Sequence, residues 1–200
     1  RACDDHGKDA IGLPDRVSLS LWIRNYDARN MLRHFEELLR VFPFSKLRPG
    51  ISGVRIYALE FAEPALFERA YPGEVDVETV IEACRDFEND DCAYMVDGFW
   101  ELLQYEDEWR LAPARVTLSC FGPAFDTDIG DHLRIEAGVE TDFIPDPDVP
   151  GSDRAARSNL QGLVRLAKEI QAALPVARRQ LWSESGENLA ERLDEAVWLL

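Results

Sequence analysis

The chain has 200 residues, 46% of them hydrophobic and 10% aromatic, with a net charge of −16. That is enough apolar material for one domain with a substantial core, and it argues against disorder. No apolar run approaches the ~20 residues that span a bilayer. The acidity also disfavours direct nucleic-acid binding, which draws most of its affinity from phosphate contacts on a basic surface.

Residues 1–15 carry Gly7, Gly12 and Pro14 and read as a loose lead-in to a single domain over residues 16–200. Val17, Leu19, Leu21 and Ile23 alternate with Ser18, Ser20, Trp22 and Arg24, the period-2 signature of a half-buried strand. Asn25 or Asp27 is placed to cap a helix running to about Phe42, with Leu32, Phe35, Leu38, Leu39 and Phe42 as its apolar stripe. Pro43 and Pro49 bracket a loop, and Val54 to Phe61 reads as an interior strand. An irregular stretch with Pro64, Pro72 and Gly73 precedes a second helix from about Asp76 to Glu88.

Two strands then follow, Ala93 to Tyr105 and Trp109 to Phe121, joined by the acidic turn Glu106, Asp107, Glu108, and a third covers Leu133 to Val139. After a proline-rich loop from Asp142 to Asp153, residues 154–200 read as helical. One stripe runs from Leu160 to Leu174, Pro175 interrupts, and Leu189, Leu193, Val197 and Leu200 make another. The expected class is α+β, a mainly antiparallel sheet with helices packed on one face, plus C-terminal helices. A helix after each of the first two strands gives an element order similar to a ferredoxin-like split βαβ arrangement. No residue motif points to a family.

The charge is segregated along the chain. Residues 63–153 hold 24 of the 38 acids but only 5 of the 22 Lys and Arg, and so carry a net −19. If these acids converge on one side of the fold, they make a directional field that selects a cationic partner. Within the segment Glu74, Glu78, Glu82, Asp86 and Asp90 recur every four residues, a spacing that stacks like charges on one helix face. Arg85 is three residues from both Glu82 and Glu88 and relieves part of that repulsion. Glu78, Glu82 and Asp86 are therefore one candidate landing surface for a basic protein. Trp100, Tyr105 and Trp109, around Glu106, Asp107 and Glu108, are a second, because aromatic anchors concentrate binding energy.

A weaker constellation is Asp126, Asp128, Asp131 and His132, oxygen and imidazole groups on a glycine-containing loop that can ligate Ca²⁺ or Mg²⁺. Gly130 and Asp131 stand in the reverse of the order a calcium loop requires, and no Glu occupies its twelfth position. His132 beside Asp131 is also the best-placed acid–base pair, whereas His6 and His34 read as surface residues. Ser18, Ser20, Trp22, Arg24, Arg115, Thr117, Ser119, His132, Arg134 and Glu136 form the polar side of the expected sheet, an open platform for a ligand or partner.

There is no phosphate-binding glycine loop, dinucleotide fingerprint, HExxH, GxSxG or paired cysteine knuckle, and no cofactor is implied. The four scattered cysteines, Cys3, Cys84, Cys92 and Cys120, are expected to be reduced, and the location read from them is cytoplasmic. The leading expectation is a non-enzymatic interaction protein of inhibitor, immunity or accessory type whose acidic surface binds a basic protein. A metal-dependent enzyme or Ca/Mg-binding protein on the Asp126–His132 loop is the alternative, and a structural subunit of an oligomer is the third.

Overall fold

A computed structural model describes residues 15–184. Its elements in chain order are β1 (Arg16–Ile23), α1 (Met31–Val41), β2 (Ile51–Ala58), β3 (Phe67–Ala70), α2 (Val77–Arg85), β4 (Cys92–Tyr105), β5 (Trp109–Phe121), β6 (Leu133–Val139), α3 (Ser152–Ala173) and β7 (Val176–Ser183). The seven strands form one sheet in the order β3-β2-β4-β5-β6-β1-β7, and every neighbouring pair is antiparallel. The α+β class and the antiparallel sheet are as the sequence predicts.

The period-2 pattern does the positioning. Val17, Leu19, Leu21 and Ile23 of β1, Val116, Leu118 and Cys120 of β5, and Leu133, Ile135 and Ala137 of β6 are all buried. They share one core with Phe35, Leu38 and Leu39 of α1, Val80, Ile81 and Cys84 of α2, and Leu163, Ala167 and Ile170 of α3. Each Val, Leu, Ile and Phe among them contributes roughly 1.5–3 kcal/mol through removal from water. α1 touches α2, α3 and β5, and α3 touches β4.

The start of α1 differs from expectation because the capping residues make a turn instead. Asp27 Oδ1 accepts the amides of Arg29 and Asn30, Asn30 Oδ1 accepts the amide of Asp27, and the helix begins only after Asn30. β2 is shifted toward the N-terminus relative to Val54–Phe61. The chain leaves the sheet at Leu59, whose φ of 66° is left-handed, and Phe61 turns onto the rings of Tyr57, Phe121 and Phe125. β3 lies in the stretch expected to be irregular, a four-residue charged edge strand of the kind that resists further pairing.

The C-terminal part also differs. Pro175 ends the helical run, as expected, but residues 176–183 form β7, which pairs with β1 from Val17↔Ser183 to Ile23↔Val176. Pattern alone could not separate this mixed polar segment from a helix, since only the neighbouring strand makes its backbone partners available. The second stripe, Leu189 to Leu200, lies outside the described residues, as does nearly all of the lead-in. The strand order gives the ferredoxin-like expectation no support: β6, β5 and β4 stand between β1 and β2, where a split βαβ unit encloses one strand.

β4 and β5 outrun their neighbours. β2 pairs with β4 only as far as Gly98, and β6 pairs with β5 only from Thr117 to Cys120. Leu102–Tyr105 and Trp109–Ala112 therefore form a two-stranded arm whose ladder partners are each other. Its free edge is satisfied by Asn159 of α3. The Asn159 carboxamide accepts the Leu103 amide at 2.8 Å and donates to the carbonyls of Leu103 and Asp142 at 3.0 and 2.8 Å. Asn159 is 5% exposed, so water does not replace these bonds. Replacing Asn159 by Leu is expected to lower stability by about 1–3 kcal/mol, read as a shift in the urea midpoint at unchanged slope.

Candidate functional site

The acids do not gather at one pole. The β4–β5 ladder runs through thirteen residue pairs, from Ala93↔Phe121 to Tyr105↔Trp109. At ~3.4 Å per residue its ends are ~40 Å apart. The Asp126–Asp131 loop leaves the Phe121 end and is held to the start of β4 by the Gly122 and Ala124 amides, which donate to the carbonyls of Cys92 and Asp90. The turn Glu106–Glu108 is at the other end, where Trp109 Nε1 donates to the Pro150 carbonyl at 2.7 Å and so draws in the loop that carries Asp146 and Asp148.

On α2, Glu78, Glu82 and Asp86 are all exposed. The helix is shorter than expected: Asp76 caps it by accepting the Thr79 amide, hydrogen bonding to the Thr79 side chain and amide holds its carboxyl below the usual range, and the helix ends at Arg85 with Asp86 as cap. Glu74 and Asp90 fall outside it. Arg85 does not pair with Glu82 or Glu88 but reaches across to Glu36 of α1 at 3.0 Å, a carboxylate that also holds Arg40. The row on α2 is thus left with its own repulsion.

At the arm tip the three aromatics separate. Trp100 is 3% exposed and its Nε1 donates to the Ala137 carbonyl at 2.7 Å, so it belongs to the core and is withdrawn as a partner contact. Tyr105 is 45% exposed and Leu111 51%. The Tyr105 ring packs at 5.3 Å on Trp109, and Glu106 pairs with Arg110. Gly151, at φ 80°, runs so close to the Trp109 ring that a Cβ there would sit 3.3 Å from its Nε1. Alternation could have flagged Trp100, which shares parity with buried Val96 and Leu102.

The structure does not assemble the proposed metal ligands. Asp131 is buried and engaged: Arg134 donates to both its oxygens at 2.8 Å, and Ser20 Oγ donates at 2.7 Å. Trp182 Nε1 donates to Ser20 Oγ, and the Arg134 guanidinium lies over the rings of Phe121 and Trp182. Asp126 and Asp128 are exposed. His132 is turned away from the polar face: its Nδ1 accepts the Ile23 amide at 2.9 Å, and its ring stacks on Tyr26 at 4.1 Å. Among the described residues, no group of three His, Cys, Asp or Glu side chains is placed to hold a metal ion.

His34, expected at the surface, is buried, with its ring centre 6.3 Å from that of Tyr26. Tyr26 is tied down through its hydroxyl to the Phe121 carbonyl, and burial pushes its pKa up. Burial lowers the pKa of both histidines. Neutral imidazole therefore contributes stability that is fully present above the unfolded-state value of about 6.5 and is lost as the pH falls through the lower folded value.

Ser18, Ser20, Thr117 and Ser119, expected on an open polar platform, are buried, and the groove that the structure does show on this face is differently composed. Arg55 of β2 donates twice to Asp97 of β4, each at 2.8 Å, and Thr117 of β5 donates to the same carboxylate at 2.8 Å. Hydrogen bonding to Asp97 raises the Arg55 pKa. Arg16 of β1 pairs with Glu136 of β6. Between these pairs runs a groove of about 520 Å³ that also takes in Phe99 and Arg115. The sequence reading missed Arg55 and Asp97, although a lone Arg and a lone Asp interrupting two apolar strands were a usable signal.

Comparison with protein-family models, with curated proteins and with solved structures gave no match.

Two outcomes test these local assignments. Asp131→Ala, which strands the half-buried Arg134, is expected to cost about 3–5 kcal/mol, with wild-type melting unmoved by Ca²⁺ or chelator; a chelator-sensitive melting temperature contradicts the ion-pair assignment. Between pH 7 and pH 5 the wild-type melting temperature is expected to fall further than that of a His34→Gln, His132→Asn double variant, measured by circular dichroism.

Proposed function

We propose that the protein is a non-enzymatic interaction protein, of inhibitor, immunity or accessory type, that engages a basic protein partner through the tip of the β4–β5 arm. The observation that carries this reading is the arm itself. It extends past both neighbouring strands, and it presents exposed Tyr105 and Leu111 beside Glu106, Asp107 and Glu108. Large apolar side chains beside a net acidic turn, in which Arg110 offsets Glu106, combine an anchor with electrostatic steering toward a cationic surface. The anchoring of Trp109 on Pro150 and of the arm edge on Asn159 fixes the tip before binding, which lowers the ordering cost. Glu78, Glu82 and Asp86 sit on the helix that leads into the opposite end of β4, so they act as a separate surface.

The reading includes the placement of the three helices over one face of the sheet, supported by the contacts of α1 with both other helices and by their shared core. It places the protein in a reducing compartment, the cytoplasm. Cys84, Cys92 and Cys120 are free and buried, and burial pushes the Cys84 and Cys120 thiols up to about 12 and Cys92 up to about 11. Among the described residues no helix is long and apolar enough to cross a membrane. Nucleic acid is not a direct partner on this reading, because the net charge of −16 opposes phosphate.

The test is a pull-down from native lysate with the full chain at low and at high salt. A specific partner is expected at low salt and lost above a few tenths molar, since screening shortens to ~3 Å at 1 M. A Tyr105→Ala, Glu106→Gln, Asp107→Asn, Glu108→Gln variant is expected to lose that partner, while Glu78→Gln, Glu82→Gln, Asp86→Asn retains it. Retention by the tip variant removes the arm from the interface.

A further inference from the structure

The polar groove carries a second, independent argument, because its lining sets Arg16, Arg55, Arg69 and Arg115 against Glu68, Asp97 and Glu136, an excess of one positive charge in a molecule of net −16. Two of its arginines are neutralised in place, Arg55 by Asp97 and Arg16 by Glu136. Asp97 is saturated by three donors, so it offers little to a ligand cation. Arg115, directly opposite Phe99 across the β4–β5 ladder, has no carboxylate within ion-pair distance among the described residues. Its guanidinium carbon lies 6.0 Å from the centre of the Phe99 ring, and that of Arg48 lies 3.7 Å from the same ring. Arg48 likewise has no acidic partner among the described residues. Two cations thus flank one aromatic ring without a counter-ion, in a chain with 38 acids to 22 basic residues.

A planar anion beside Arg115 takes paired N–H donors from a guanidinium that has no carboxylate partner among the described residues. The groove volume of about 520 Å³ is within the ~300–1,000 Å³ that hold small organic ligands. The net charge of −16 discriminates among anions: a polyanion or a dianion is repelled by the whole molecule more strongly than a monoanion is. We propose that the groove is a binding site for a small organic monocarboxylate, with Arg115 as its anchor beside Phe99, Arg48 adding its charge from outside the groove lining through its contact with the same ring, and the Arg55–Asp97–Thr117 cluster as a fixed wall.

The experiment is isothermal titration of the full chain with benzoate, with benzyl alcohol as the neutral probe and phenyl phosphate as the dianionic one. Saturable benzoate binding with a Kd below about 1 mM is expected. Benzyl alcohol and phenyl phosphate are expected to bind at least about tenfold more weakly, the first for lack of the charge-assisted bonds and the second through repulsion. An Arg48→Gln, Arg115→Gln variant is expected to lose at least about tenfold in benzoate affinity. Both positions are exposed, so its melting temperature should match wild type and loss of fold is ruled out directly. Absence of saturable benzoate heat, wild-type affinity in the double variant, or equal binding of benzyl alcohol overturns the site. Phenyl phosphate binding tighter than benzoate overturns the choice of ligand class.

Discussion

The β4–β5 ladder is the constraint on which the rest of the molecule depends. Its thirteen pairs supply the frame onto which β2 and β6 register, and its length exceeds theirs. The inner half is buried because both its flanks are taken. The outer half needs other means: Trp100 reaches over to the Ala137 carbonyl, and Asn159 substitutes for a strand along the free edge. A long hairpin without such supports frays, since two strands alone are marginal in water. Here the supports come from β6 and α3, 37 and 56 residues along the chain from the groups they hold, so the arm is stiff only when the domain around it is folded.

The same ladder decides what the segregated charge does. In one dimension residues 63–153 are a continuous acidic block. In three dimensions the block contains both strands of the hairpin, and its loops are therefore delivered to opposite ends of the sheet. The inner acids do something different again. Asp97 and Asp131 are counter-ions for Arg55 and Arg134, holding strands β2, β4 and β5, and β6 with β1, at the polar face. Such pairs add little net stability but fix register strongly, because breaking one leaves a poorly solvated charge.

Most of the fold was legible because the sheet face that packs on the helices takes apolar side chains at every second position, while buried small polar residues such as Ser18, Ser20 and Ser119 fall between them. β5 and β6 read directly from Val116, Leu118, Cys120 and Leu133, Ile135, Ala137, whose parity the core enforces. The failures share a cause. β3 and β7 are the outermost strands, and little of the period-2 signal survives where one strand is short and charged and the other carries Arg178, Arg179 and Gln180. The beginning of α1 was misread because Asp27 and Asn30 close a turn with the same side-chain oxygens that cap helices. At the site, Tyr105 and Glu106–Glu108 were recoverable from a turn between two strands. His132 was not, since its role depends on the Ile23 amide and the Tyr26 ring, more than a hundred residues away.

The two surfaces that emerge have opposite electrostatic logic, and the sheet keeps them apart. At the arm tip, acids surround exposed apolar groups, so attraction to a cationic surface is long-ranged, fast and sensitive to salt. In the groove, Arg115 is exposed within a molecule of net charge −16, so the attraction proposed there acts at hydrogen-bond reach. Attraction there is short-ranged and directional, which favours a compact ligand that presents one charge and a flat face. On the proposed reading the net charge of the molecule disfavours polyanions while geometry selects a monoanion, so the acids at the tip also bear on what the groove admits.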